Sequence, residues 1–179
     1  MGSQLRSAPW RATARTLAAF SLPLILSGVL QQLYNWADAF IVGNVEGELA
    51  LAAIGATGTI SNFCLLAITG FTVGLSIFFA QTYGRGEEAL LPRILSTFTL
   101  LLGAVFLLLG LGGAAASGRL LRLLHTTADT LALAEDYLSV IFLGIPFMAV
   151  YNVYAAALRG IGDSRAPFLA IVVSSVVNV

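Results

Sequence analysis

Five stretches of the chain are almost continuously apolar, separated by short polar breaks: 16–43, 49–81, 94–116, 130–158 and 166–179. Four are long enough to cross a hydrocarbon core, which takes about 20 helical residues. The fifth holds only 14 residues before the sequence stops, so the chain reads as the front part of something longer. Residues 1–15 carry Arg6, Arg11 and Arg15 with Trp10, the make-up of a short cytoplasmic tail ending at a headgroup layer. The apolar run after these arginines is too long and too polar for a cleaved signal peptide, and is read as a retained first span.

That first span is not uniformly apolar. At about 100° per residue, Ser27, Gln31, Tyr34 and Asp38 fall within roughly 60° of one another, with Asn35 beside them. Such a helix cannot be wrapped in lipid all round, so the stripe predicts partner helices or a water-filled space. An ionisable carboxylate at membrane depth is costly, which makes Asp38 the leading functional candidate. The plainer reading has Asp38 reaching the interface from near the helix end.

The second span holds Gly70 and Gly74 in GFTVG, a small-residue face for helix packing, and a run of hydroxyl residues expected to bond back to their own backbone. Asn62 is its one polar candidate for lining a cavity. The third span, mostly Leu, Gly and Ala, predicts packing. Residues 118–129 read as a short amphipathic interfacial piece with His125 solvated. The fourth span carries Tyr137, Asn152 and Pro146, with Glu135 and Asp136 suited to its N-terminal turns. Pro146 should kink the helix, either as a fixed bend or as a hinge.

Composition agrees with a membrane protein: 58% of the 179 residues are hydrophobic and 10% charged, against roughly 25% charged in soluble domains. Nothing in a net charge of zero points to nucleic acid. Cys64, the single cysteine, excludes an intramolecular disulfide and reads as a packing residue. Seven of the nine arginines fall on the side of the N-terminus and only Arg119 and Arg122 on the other, which predicts a cytoplasmic N-terminus. No His-Glu pair, Ser-His-Asp set or phosphate loop is present, so an enzyme is not expected.

Taken in order, Pro23, Gln31, Gln32, Asp38 and Gly43, then LALAAIGATG at 49–58, Gly70, Gly74 and AQTYGRG at 80–86, then Tyr137, Gly144, Pro146, ALRGIGDSRAP at 157–167 and Asn178, resemble the multidrug and toxic compound extrusion (MATE) family. The resemblance covers nearly everything beyond the arginine tail. It implies an all-α membrane fold in which about five transmembrane helices form most of the first of two six-helix lobes. It also implies a multi-pass plasma-membrane antiporter exporting bulky, often cationic organic compounds against inward H⁺ or Na⁺ by alternating access. Such a protein needs no cofactor and is expected to be a monomer when its second lobe is present.

Within that resemblance Asp38 and Asn178 are the cation-coupling pair, and the metal-type ligands if the ion is Na⁺. Gln31, Tyr34, Asn35, Asn62, Tyr137 and Asn152 are candidate cavity-lining residues, and Pro146 the candidate hinge. Protonation or a bound Na⁺ would neutralise Asp38 and remove its attraction for a cationic substrate. Two alternatives remain at this point: a lipid-linked sugar flippase of the same superfamily, or a truncated fragment that does not transport. The span interiors lack the arginines that a pyrophosphate-binding flippase would use.

Overall fold

The computed structural model describes residues 10–178. They form five helices: α1 (Trp10–Val45), α2 (Glu48–Gly84), α3 (Leu91–Leu123), α4 (Ala128–Gly160) and α5 (Arg165–Asn178), with a short 3₁₀ turn at Glu88–Leu90 before α3. The first four are long and apolar enough to cross a membrane, and α5 is a shorter apolar helix. Successive helices run antiparallel through tight turns. The start of α1 and the α2–α3 and α4–α5 turns therefore gather Arg15, Arg85, Arg93, Arg159 and Arg165 at one end. Arg119 and Arg122 lie at the other. Arg6 lies outside the described residues.

α4 is the centre of the packing. Both α2 and α3 lie along it, whereas they approach each other only sparingly despite being sequence neighbours. Leu138, Ile145, Ala149, Val153 and Ala156 of α4 are buried against Leu75, Phe79, Leu102 and Leu121 from the two flanking helices. Lipid tails are as apolar as leucine, so burial from water drives little of this association. Close van der Waals fit supplies it instead. The fit is glycine-made. A Cβ at Gly110 of α3 would come within 2.5 Å of the Phe142 carbonyl, and one at Gly113 would overlap the Phe142 ring. Phe142 is the residue whose carbonyl Pro146 leaves without its helical donor, and α3 packs directly against that carbonyl. The Ser117 and Ser139 hydroxyls, 2.9 Å apart, add one polar link across the same interface.

The ALRGIGDSRAP segment resolves into separate physical tasks. Gly160 lets α4 press on α2, where a Cβ would meet the Ser76 carbonyl at 2.7 Å. Gly162 takes the left-handed conformation (φ 90°) that reverses the chain, and the Asp163 N–H donates to the Leu158 carbonyl at 2.9 Å. The Asp163 carboxylate then accepts the first N–H groups of α5, from Arg165 (2.9 Å) and Ala166 (3.1 Å). α2 ends the same way on Gly86 (φ 76°). α3 ends on His125 (φ 57°), a conformation that costs a non-glycine residue about 1–2 kcal/mol.

Two sequence expectations meet a different structure. Residues 118–123 are not a separate interfacial piece but the last turns of α3, because Gly118 and Leu121 bury against α4 while Arg119 and Arg122 point away. Gly70 and Gly74 do not pack on another helix among the described residues. The buried face of α2 is the one through Ile68, Thr72, Leu75 and Phe79, and a Cβ at either glycine would meet open space. Glu135, expected in the first turns of the span, lies two turns into α4 with its carboxylate against Gly118. The hydroxyls of α2 behave as expected: Thr57, Ser61, Thr69 and Thr72 donate to carbonyls of their own helix at 2.8–3.0 Å.

Candidate functional site

α1 stands apart from this packed trio. It lies along α5 and meets α2 near their connecting turn, where Gly43 sits beside Leu51, but it makes no close backbone approach to α4. A gap that side chains only partly fill is left between α1 and α4, and the polar stripe of α1 borders it.

Two cavities occupy the gap. One, about 300 Å³, is lined by Gln31 and Tyr34 of α1, Met148 and Tyr151 of α4, and Ser174 and Ser175 of α5. The Tyr151 hydroxyl also donates weakly to the Pro167 carbonyl (3.4 Å), tying this wall to the start of α5. The other, about 370 Å³, lies at the C-terminal end of α1, bordered by Val42 of α1, Glu46 of the turn after it, Ala53 of α2, and Asp136 and Tyr137 of α4. Asp38 sits between them by helix register, one turn from Tyr34 and one turn from Val42. It is half-buried, and both it and Tyr34 lie close enough to Tyr137 to act on it electrostatically.

The structure thus assembles Gln31, Tyr34, Asp38 and Tyr137 along one cleft. Asn35 is exposed at its margin and lines neither cavity. Asn152 turns inward on its own helix, its amide donating to the Met148 carbonyl at 2.8 Å. Asn62 is not brought to the cleft: it is exposed, about 140° around α2 from the buried Thr57. Pro146 lies behind the cleft, against Gly110. Asn178 closes α5, but its side chain lies outside the described residues.

Sequence reading passed over Glu46, Asp136, Tyr151, Ser174 and Ser175. Asp136 was legible only as a carboxylate in the first turns of α4, since nothing in the spacing shows that it lines the same cavity as Glu46. Together with Asp38, Glu46 and Asp136 make the cleft electronegative, and among the described residues no arginine lines either cavity. Clefts of one sign with low-dielectric walls concentrate ions of the other sign. Carboxylates, tyrosine and serine hydroxyls and the Gln31 amide offer oxygen donors, the ligand type a hard cation takes.

The family model for MatE matches residues 23–179. A probable multidrug resistance protein of Bacillus subtilis, YoeA, is 34% identical over 92% of this chain and 36% of its own length. A second from that bacterium, YpnP, is 32% identical over 92% of this chain and 37% of its own length. The multidrug export protein MepA of Staphylococcus aureus is 25% identical over the same shares. The chain therefore spans little more than a third of the length of the curated relatives it matches. No solved structure is matched. A family match that takes in all five helices, from Pro23 in α1 to the end of α5, establishes this chain as a member of the MatE family.

Proposed function

We propose that this chain belongs to a cation-coupled exporter of bulky organic compounds, with Asp38 as the group through which H⁺ or Na⁺ acts. The observation that carries the reading is the position of Asp38, half-buried on α1 between two cavities and beside Tyr137 of α4. A carboxylate held at membrane depth favours any event that neutralises it, whether a proton or a bound cation. When charged, it attracts a cationic substrate; once neutralised, it releases one. Coupling follows if ion and substrate each favour a different arrangement of the cleft, and each shifts the equilibrium only by its differential affinity.

The packing suits such a change. α1 can move relative to α4 without dismantling an interdigitated interface, whereas α2, α3 and α4 would move as one body. The names of the relatives support multidrug compounds as the substrate class. The absence of arginine from the cleft walls favours cationic or neutral compounds over a pyrophosphate-bearing lipid. The arginine-rich end of the bundle is assigned to the cytoplasmic face of the plasma membrane under the positive-inside rule.

The test is efflux of a cationic dye from cells expressing the full-length protein, with the Na⁺ and pH gradients set separately. Asp38→Asn is expected to abolish ion-driven efflux while the protein still inserts in the membrane. Efflux equal to wild type from that variant rejects the coupling role.

A further inference from the structure

On the far side of α4 from the cleft, α2 and α3 leave a second opening that the transport reading does not use. The two helices are close where the α2–α3 turn joins them and separate toward the α3–α4 turn. The Phe71 and Phe106 rings meet edge-on at 6.5 Å and close the narrow end. Beyond them lies an apolar groove of about 620 Å³, walled by Phe63 and Cys64 of α2 and Leu109 and Gly112 of α3, and floored by Phe142 and Ile145 of α4. Its wide end shares Thr59 and Leu124 with a polar chamber of about 390 Å³ beneath the α3–α4 turn. That chamber presents His125, Thr126, Thr127 and Thr130.

We propose that this groove and chamber together bind one phospholipid, its acyl chain between α2 and α3 and its glycerophosphate head against His125 and the threonines. Three observations select this occupant. Between Phe106 and Leu120 the apolar part runs about 21 Å along α3 at about 1.5 Å per residue, enough for a chain entering from one leaflet. It is blind at the membrane-centre end and polar at the helix-end side, the order of an amphiphile inserted from a leaflet. Arg119 and Arg122 stand exposed on the last turns of α3, at the same end of the bundle as the chamber, complementary to the anionic phosphates of that leaflet.

The turn itself is built to present a side chain. Thr126 N–H donates to the Leu121 carbonyl and His125 N–H to the Arg122 carbonyl, both at 3.1 Å, so the backbone is fixed. α2 and α4 place glycine at the equivalent left-handed residue; α3 places His125 there, where it borders the chamber.

The test uses the full-length protein reconstituted in phosphatidylglycerol–phosphatidylcholine vesicles doped with a phospholipid carrying a diazirine at the end of one acyl chain. After irradiation, adducts are mapped by peptide mass spectrometry. The expected adducts fall on Phe142 and Ile145, only 6% and 3% exposed and reachable by a chain lodged in the groove. Gly112→Trp, at a residue where a Cβ meets nothing within 4 Å, should cut that labelling at least fivefold. Ala116→Trp on the same wall should do the same, and His125→Ala with Thr126→Val should lower it when the diazirine is on phosphatidylglycerol. Labelling confined to outward residues away from the groove, such as Leu100, means only surrounding bilayer lipid and overturns the proposal. So does an unlabelled floor, as when another protein segment covers the groove, and so does floor labelling that both Trp variants leave unchanged.

Discussion

α1 and α4 are alike as sequences, 36 and 33 residues long, each apolar, each with one internal proline and scattered polar side chains. In the structure they are opposites. α4 buries residues along its whole length, from Thr130 to Ala157, because α2 and α3 enclose it from two sides. α1 buries only Ser27 among its described residues and leaves Leu33, Trp36 and Phe40 exposed on one face while its polar stripe borders the cleft. The difference separates two uses of polar groups in a membrane. On α4 they are satisfied locally: Asn152 bonds its own helix, and Ser139 bonds Ser117. On α1 Asp38 lies by helix register between two cavities and acts electrostatically on Tyr137 of α4.

Substitutions test that contrast, beginning with the largest effect. Asp38→Asn should reduce ion-driven dye efflux to that of cells without the protein, yet leave thermal unfolding of the purified protein unchanged. Loss of folded protein instead would make Asp38 a structural residue like those of α4. Gly113→Leu should destabilise by about 3 kcal/mol, the upper range for an overpacked core, since its side chain needs the space of the Phe142 ring. Thermal unfolding in detergent reads this directly, and an unchanged midpoint would contradict the tight α3–α4 seam.

Leu138→Ala, at a fully buried residue of α4, should cost about 2 kcal/mol, the low end for such truncations because transfer from lipid adds little. Tyr137→Phe removes an α4 hydroxyl on which the Asp38 charge acts. With interhelical hydrogen bonds in membranes averaging about 0.6 kcal/mol, the apparent ion affinity of transport should shift about threefold, with stability barely altered. Val29→Ala, on the bare face of α1, should change stability by less than about 0.5 kcal/mol. A cost as large as that of Leu138→Ala would show α1 to be packed like α4 after all.

Much of this was legible in the residues. Apolar runs broken by NVEGE, YGRGEE and RGIGDS give the helices, and the 100° spacing of Ser27, Gln31, Tyr34 and Asp38 gives the stripe. Both are local properties of a single helix. The shared cavity of Glu46 and Asp136, the idle Gly70–Gly74 face and the placement of Asn62 away from the cleft were not legible, since each depends on which sides of the helices meet. The extent of α3 misled for a related reason. Arg119 and Arg122 look like the end of a span until Gly118 and Leu121 are seen buried on α4, which carries the helix on to Leu123.

By itself the sequence determined that this is a helical membrane protein with an acid on its first span, because hydropathy, helical period and turn residues act over a few neighbouring positions. Only the tertiary structure decided that α4, not α1, is the hub, and that Asp38 borders a cleft shared with Tyr137. In a bilayer every apolar face is equally at home against lipid, so hydrophobicity cannot say which faces meet. Glycine-sized gaps and the shapes that fill them make that choice.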